Sequence, residues 1–171
     1  QTVTVTGVDD LVDDGDVSYT ILTASASSSD TTYSGLNAAD VSVSNTDDDT
    51  AGITVTPTSG LVTTEAGGTA TFTVRLDTLP TANVTIALSS SDTSEGTVSP
   101  ARQTVASGNG ATPRARPITG VNDAVDDGDV SYTNVTAAAS SSDTTSNSVN
   151  PPAVSVHNPD HDPDAIPVTP R

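Results

Sequence analysis

Five aspartates fall within eight residues, at Asp9, Asp10, Asp13, Asp14 and Asp16, and three more stand together at Asp47, Asp48 and Asp49. A calcium ion takes about six to eight oxygen ligands, mostly carboxylates and carbonyls, and such clusters concentrate that supply. Without a cation the same charges repel one another. Asp and Gly are also good turn formers, so the plainer reading of either cluster alone is a solvated acidic turn. The loop is not an EF-hand, because the Gly and the terminal Glu that an EF-hand requires do not fit its spacing. Nor is there a Gly-Gly-x-Gly-x-Asp β-roll repeat.

Other chemistry has less to work with. His157 and His161 are the only histidines and lie in a Pro- and Asp-rich segment. With Asp160 and Asp162 they could hold a transition metal; an exposed linker is the plainer reading. No Gly-x-Ser-x-Gly elbow occurs, so a Ser-His-Asp site lacks its usual local frame. A pair of carboxylates for glycoside cleavage is not legible from sequence. The expectation is a protein that is not an enzyme.

Composition narrows the partners. Of 171 residues, 22 are acidic and five basic, for a net charge of −17. Such a charge repels phosphate backbones and anionic headgroups, which argues against nucleic acid and membrane surfaces as partners. No apolar run approaches the ~18 residues that a membrane span needs. Cys is absent, which removes disulfides, thiolate nucleophiles and Cys zinc sites. Neither a signal peptide nor an initiator Met is seen, as expected of a processed product or an excerpt of something longer. Ser and Thr together make up 52 residues, a hydroxyl-rich surface that fits an acidic, Cys-free protein outside the cell. Ser/Thr-rich loops at 25–32 and 140–145 are compositional candidates for O-linked glycans. Asn83-Val-Thr85 and Asn134-Val-Thr136 are N-glycosylation sequons, both on expected strands.

Val, Leu, Ile and Phe supply 34 of the 171 residues. That share and the high charge would by themselves favour disorder, but the apolar residues are patterned. Residues 1–58 align with 114–171 at a constant offset of 113, with 33 identities and no gap. The strongest blocks are Val12–Thr20 against Val125–Thr133 and Ser27–Thr32 against Ser140–Thr145. The repeat unit is therefore of domain size rather than a solenoid rung. Within it, apolar residues alternate with Thr, Ser or other polar residues, as at Ala70/Phe72/Val74/Leu76 and Val84/Ile86/Leu88. Period-two alternation with β-branched residues marks half-buried antiparallel strands, and Gly, Pro, Asp and Ser punctuate them. Thr2–Thr6 shows the same alternation. In the full unit, strands are expected at about 52–57, 69–77, 82–90, 96–106 (with a break possible at Pro100), 114–121, 129–137 and 153–158. That predicts an all-β chain built as a tandem of immunoglobulin-like, seven-strand antiparallel β-sandwiches. With one Phe, the core is expected to be thin.

Gly7-Val-Asp-Asp-Leu-Val-Asp-Asp-Gly-Asp-Val-Ser-Tyr19, followed by Val41-Ser-Val-Ser-Asn-Thr-Asp-Asp-Asp49, resembles the Calx-β domain. That family carries an acidic loop before its sixth strand and an Asp run after its seventh. Val62-Thr-Thr-Glu-Ala-Gly-Gly68 is similar to its turn after the first strand, and Ser91-Asp92 to its acid after the third. The resemblance also extends to Calx-β-like arrays in large bacterial surface proteins. It implies a sandwich that binds calcium in loops at one end. Carried over by position, the ligands in the full unit are Glu65, Asp92, Asp123, Asp127, Asp129, Asp160 and Asp162. In the first they are Asp9, Asp10, Asp14, Asp16, Asp47, Asp48 and Asp49. Asn122 and Ala124 stand where the family has Asp, His161 interrupts the final run, and Val17 and Val130 stand where it has an acid. These departures thin the ligand set of the second unit.

The expected organisation is 1–51 as the last three strands of one repeat, completed by another copy or by missing sequence. Residues 52–162 form a complete repeat, and 163–171 a linker and the first strand of the next. Ala165-Ile-Pro-Val-Thr-Pro170 parallels Gly52-Ile-Thr-Val-Thr-Pro57. The expected function is a non-catalytic subunit of an extracellular filament or giant surface protein. It would assemble head-to-tail with copies of itself by strand complementation and be stiffened by calcium. The alternative is a calcium-dependent adhesin or ligand-binding module at the cell surface.

Overall fold

The computed structural model describes residues 1–162; the expected linker and strand at 163–171 lie outside the described residues. The chain divides into two compact units, Gln1–Asp49 and Thr50–Arg171. No helix is present among the described residues.

The first unit holds two strands, β1 (Val17–Ile21) and β2 (Val41–Asn45), paired antiparallel with Tyr19 opposite Val43. The alternating Thr2–Thr6 segment is not a strand, contrary to the expectation from its pattern. Its counterpart in the second unit shows why. Residues 114–120 are a strand because they pair on both sides, and both partners come from the segment 59–113 that occurs once. A period-two pattern makes a strand only where a neighbour supplies the ladder. In the first unit Val3, Val17 and Val41 are accordingly 83 %, 48 % and 53 % exposed.

The second unit is a two-layer β-sandwich. Its strands are β3 (Ile53–Thr56), β4 (Leu61–Val62), β5 (Thr69–Leu76), β6 (Val84–Ser90), β7 (Gly96–Val98), β8 (Arg102–Val105), β9 (Arg114–Gly120), β10 (Val130–Thr136) and β11 (Val154–Asn158). One sheet runs β4-β11-β10-β6-β8 and the other β3-β5-β9-β7. Each expected segment is present. The 96–106 segment divides around Pro100, and its halves join opposite sheets: β7 pairs with β9, and β8 with β6. Proline cannot donate to a ladder, so the chain changes layer there. Leu61–Val62 adds a short parallel pairing along β11.

The alternation fills the layer between the sheets. Phe72, Val74 and Leu76 of β5 meet Val84, Ile86 and Leu88 of β6, with Ile118, Tyr132, Val154 and Val156 in the same core. Each fully buried side chain of this kind stabilises the fold by about 1.5–3 kcal/mol relative to exposure. Every residue of this core lies in the second unit.

Candidate metal centre

The two acidic clusters of each unit meet where the β1–β2 or β10–β11 hairpin opens. Asp47 accepts the Gly15 amide at 2.6 Å and the Asp14 amide at 3.1 Å through Oδ2, and the Asp49 amide at 2.9 Å through Oδ1. In return the Asp47 amide donates to Asp16 Oδ1 at 3.0 Å. The second unit repeats this latch. Asp160 accepts from Gly128 at 3.0 Å and from Asp162 at 2.8 Å, and its own amide donates to Asp129 at 3.2 Å. Asp10 and Asp123 cap their own loops through the Val12 and Val125 amides, at 2.8 and 2.9 Å. Gly15 and Gly128 take φ of 78° and 77°, the left-handed region that a side chain disfavours, which turns their amides toward the latch. Hydrogen bonds from the Asp49 and Asp162 amides, and then from those of Gly15 and Gly128, hold the Asp47 and Asp160 carboxyls below the usual carboxylate range.

The remaining carboxylates face one another. In the first unit, oxygens of Asp9, Asp48 and Asp49 lie within 4.8 Å of each other. They border a hollow of about 420 Å³ that Asp10, Asp14 and Asp47 also line. Desolvation, and then the charges of Asp47, Asp48, Asp9 and Asp10, push the Asp49 carboxyl up. In the second unit, Glu95, Asp123 and Asp127 converge within the same distance. Desolvation also raises Asp127 and Glu95. Asp123, Asp160 and Glu65 add to the rise at Asp127, while at Glu95 the Asn158 amide offsets part of it. A third group joins Glu65, His161 and Asp162. Here the His161 imidazole pairs with the buried Glu65 carboxylate, which lifts the His161 pKa, and Asp162 Oδ2 is buried without a partner.

The sandwich places these groups together. Gly120 donates to Gly68 at 3.0 Å, Val121 to the Glu95 carbonyl at 3.0 Å and Thr63 to the His157 carbonyl at 2.9 Å. The turns carrying Glu65 and Glu95 are thereby tied to the loop after β9 and to the end of β11.

The residues expected as ligands thus separate by role. Asp9, Asp48 and Asp49 form one open group, while Asp123 and Asp127 belong to a second and Glu65 and Asp162 to a third. Asp16, Asp47 and Asp160 serve the latch, and Asp14 lines the hollow. Asp129 accepts the latch bond and also pairs with His157 at 3.4 Å. Asp92 caps its own turn, bonding the Ser94 amide and hydroxyl, and belongs to none of the three groups among the described residues. The two histidines part, His157 to Asp129 and His161 to Glu65.

Sequence reasoning missed Glu95. It is one of only two glutamates in the chain, three residues beyond Asp92, and it is 4 % exposed. Of the sequons, Asn134 is fully buried on β10, where no glycan fits in the folded state. Asn83 is exposed and accepts the Ser107 amide.

No protein-family model matches the chain, and no curated protein sequence matches it. Among solved structures, it is similar to the apo-form Calx CBD1 domain at 12 % identity and a TM-score of 0.48, over 67 % of this chain and 100 % of that one. It is similar to the periplasmic chaperone SfaE at 10 % identity and a TM-score of 0.48, over 70 % of this chain and 61 % of that one. It is also similar to a chain of a type I cohesin–dockerin complex from Clostridium thermocellum at 11 % identity and a TM-score of 0.41, over 67 % of this chain and 97 % of that one. These likenesses are of fold alone.

Proposed function

We propose that this chain is a non-catalytic structural module of an extracellular or cell-surface assembly, that its loop ends bind calcium, and that copies of the module associate with one another. One observation carries the calcium reading. In each unit three carboxyl groups lie close together beside the latch, Asp9, Asp48 and Asp49 in the first and Glu95, Asp123 and Asp127 in the second, and in each at least one is raised by desolvation and by its neighbours' charges. A cation relieves that repulsion. The groups Asp9–Asp48–Asp49 and Glu95–Asp123–Asp127 offer only oxygen, which suits a hard ion, and loop-borne carboxylates suit the flexible coordination of Ca²⁺ better than the strict octahedron of Mg²⁺. Titration calorimetry with Ca²⁺ and Mg²⁺ tests this. Calcium binding that magnesium does not reproduce is expected, and no heat with millimolar calcium overturns it.

Exposed apolar surface supports the association. In the second unit the equivalent hairpin β10–β11 is flanked by β6 and β4, whereas β1–β2 stands as a two-stranded sheet with Val17 and Val41 about half exposed. Among the described residues the edges of this hairpin carry no further strand, and such edges are available for pairing. Sedimentation of the full chain is expected to show self-association, and a monodisperse monomer with β1 and β2 protected from hydrogen exchange contradicts it.

A further inference from the structure

A line of buried polar groups runs from the hydrophobic core to Glu95. The Tyr132 hydroxyl lies 3.1 Å from Thr63 Oγ1, Thr63 Oγ1 donates to Asn158 Oδ1 at 3.0 Å, and Asn158 Nδ2 donates to Glu95 Oε2 at 3.2 Å. All four residues are buried. The carboxylate is an acceptor, so it fixes the Asn158 amide with its NH₂ outward. Asn158 Oδ1 must then accept from Thr63, and Thr63 is left to accept from the phenol. Every proton in the chain is oriented by the charge at its end, and such chains strengthen cooperatively in a low-dielectric interior.

A second tie runs through the backbone. A methyl group at Gly96 would overlap the Tyr132 hydroxyl, so the phenol lies directly on the residue that follows Glu95. The first unit has no such line. Tyr19 and Asn45 stand where the second unit has Tyr132 and Asn158, but the Asn45 amide donates to the Val8 carbonyl at 2.9 Å instead.

We propose that Thr63, Tyr132 and Asn158 are positioning residues: they hold the Glu95 carboxylate for a cation shared with Asp123 and Asp127, and they carry occupancy of that site to Tyr132 in the core. This rests on the calcium reading above. A cation drawing on Glu95 changes what Asn158, Thr63 and the phenol hydrogen-bond to. Tyr132 is then an internal reporter of the site.

The test uses the full chain and calcium alone, with calorimetry and near-UV tyrosine difference spectra recorded in parallel. In the native protein the tyrosine signal should change with the same midpoint as calcium binding, and Tyr132→Phe should remove that change. Thr63→Val keeps the shape of the side chain and removes its hydroxyl contacts to Tyr132, Asn158 and the His157 carbonyl. Losing the direct partner of a metal ligand costs about 10–100-fold in affinity; Thr63 acts through Asn158, one bond further out, so weakening at the low end of that range or below it is expected at this site, with Thr63→Ser restoring it. If Thr63→Val fails to fold, Tyr132→Phe, which deletes only the hydroxyl, is expected to weaken binding several-fold. Native protein that binds calcium with no tyrosine change, and with unaltered affinity in these variants, overturns the network alone. Native protein that binds no calcium overturns the calcium reading and this inference together.

Discussion

Asp127→Asn is the most informative single change. It removes one charge from the Glu95–Asp123–Asp127 group and keeps the size of the side chain. The bonds that tie the loops run through Asp129 and Asp160, so they survive. Desolvation and the charges of Asp123, Asp160 and Glu65 raise the Asp127 carboxyl in the folded state, which means that the ionised native side chain is held at a cost. Calcium-free, the variant should melt no lower than the native protein. With calcium the order reverses. Binding to the folded state alone stabilises by about 2.7 kcal/mol at a hundredfold excess over Kd, worth a Tm rise of about 10 °C for a domain of roughly this size. A tenfold loss of affinity removes about 1.4 kcal/mol, which leaves a rise of about 5 °C at the same calcium concentration.

Melts followed by circular dichroism in EGTA and in calcium measure both halves of this crossing. The second unit dominates the transition, because the buried core lies there. Asp30→Asn is the matched control: Asp30 is exposed and caps only the Thr32 amide of its own turn. Its counterpart Asp143 is unsuitable, because it is buried and accepts bonds from Thr81, Thr145 and Ser146, so its loss should lower Tm with or without calcium. If Asp127→Asn keeps the whole calcium-dependent rise, the Glu95 group is not where the ion sits, and the reasoning from converging carboxyls fails.

Three further outcomes follow from the same geometry. His161→Asp restores the acid that the first unit has at Asp48 and removes the ion pair with Glu65; it should lower Tm in EGTA and tighten calcium binding several-fold by calorimetry. Denaturation as a function of pH should show calcium-free stability falling as pH rises above the ordinary carboxylate range. Glu95, Asp49 and Asp127 have raised folded pKa values, so their penalty is absent below the unfolded values and grows through the folded ones. His161, also raised, loses its contribution as pH climbs through its folded value. Asp47, Asp92 and Asp160 are lowered, so their contribution is present above the unfolded values and is lost as pH falls through the folded ones. Calcium should flatten the loss on the neutral side, and its stabilising increment should grow from pH 4 to 7. Gly96→Ala forces a methyl into the Tyr132 hydroxyl and should cost about 3 kcal/mol by denaturant unfolding in EGTA, and more when calcium is present.

The strand pattern was legible where both faces of a strand were decided by the core. Phe72, Val74 and Leu76 alternate in sequence and are buried in the structure. It misled at Thr2–Thr6, whose alternation is as regular, because alternation records what a strand would bury and not whether a partner is there to pair with. The acidic loops were legible because carboxylate density is a property of composition. What composition did not disclose is which acid ends in the latch and which in the open groups. Asp47 and Asp48 are neighbours in one run, yet Asp47 spends its oxygens on amides and Asp48 faces Asp9 and Asp49. Glu95 escaped because it stands outside any acidic run, and only the fold brings it to Asp123 and Asp127.

The two units also separate what the hairpin encodes from what the sandwich adds. The latch forms in both, with matching bonds from Gly15 to Asp47 and from Gly128 to Asp160, although only the second has a core beneath it. The same latch geometry thus goes with the acidic clusters, the left-handed glycine and the strand pair between them, with or without a core beneath. Burial is what the sandwich contributes: it brings Glu65 and Glu95 to the same end and withdraws both from water. Desolvated carboxylates gain more from a cation than solvated ones do, because water no longer screens them. On this argument the first unit offers more aspartates and the second a stronger field at its two buried glutamates. The His161–Glu65 pair then reads as partial compensation for that field, an imidazole set against one of the two glutamates while the other, Glu95, is left to Asn158 and, on the calcium reading, to the cation.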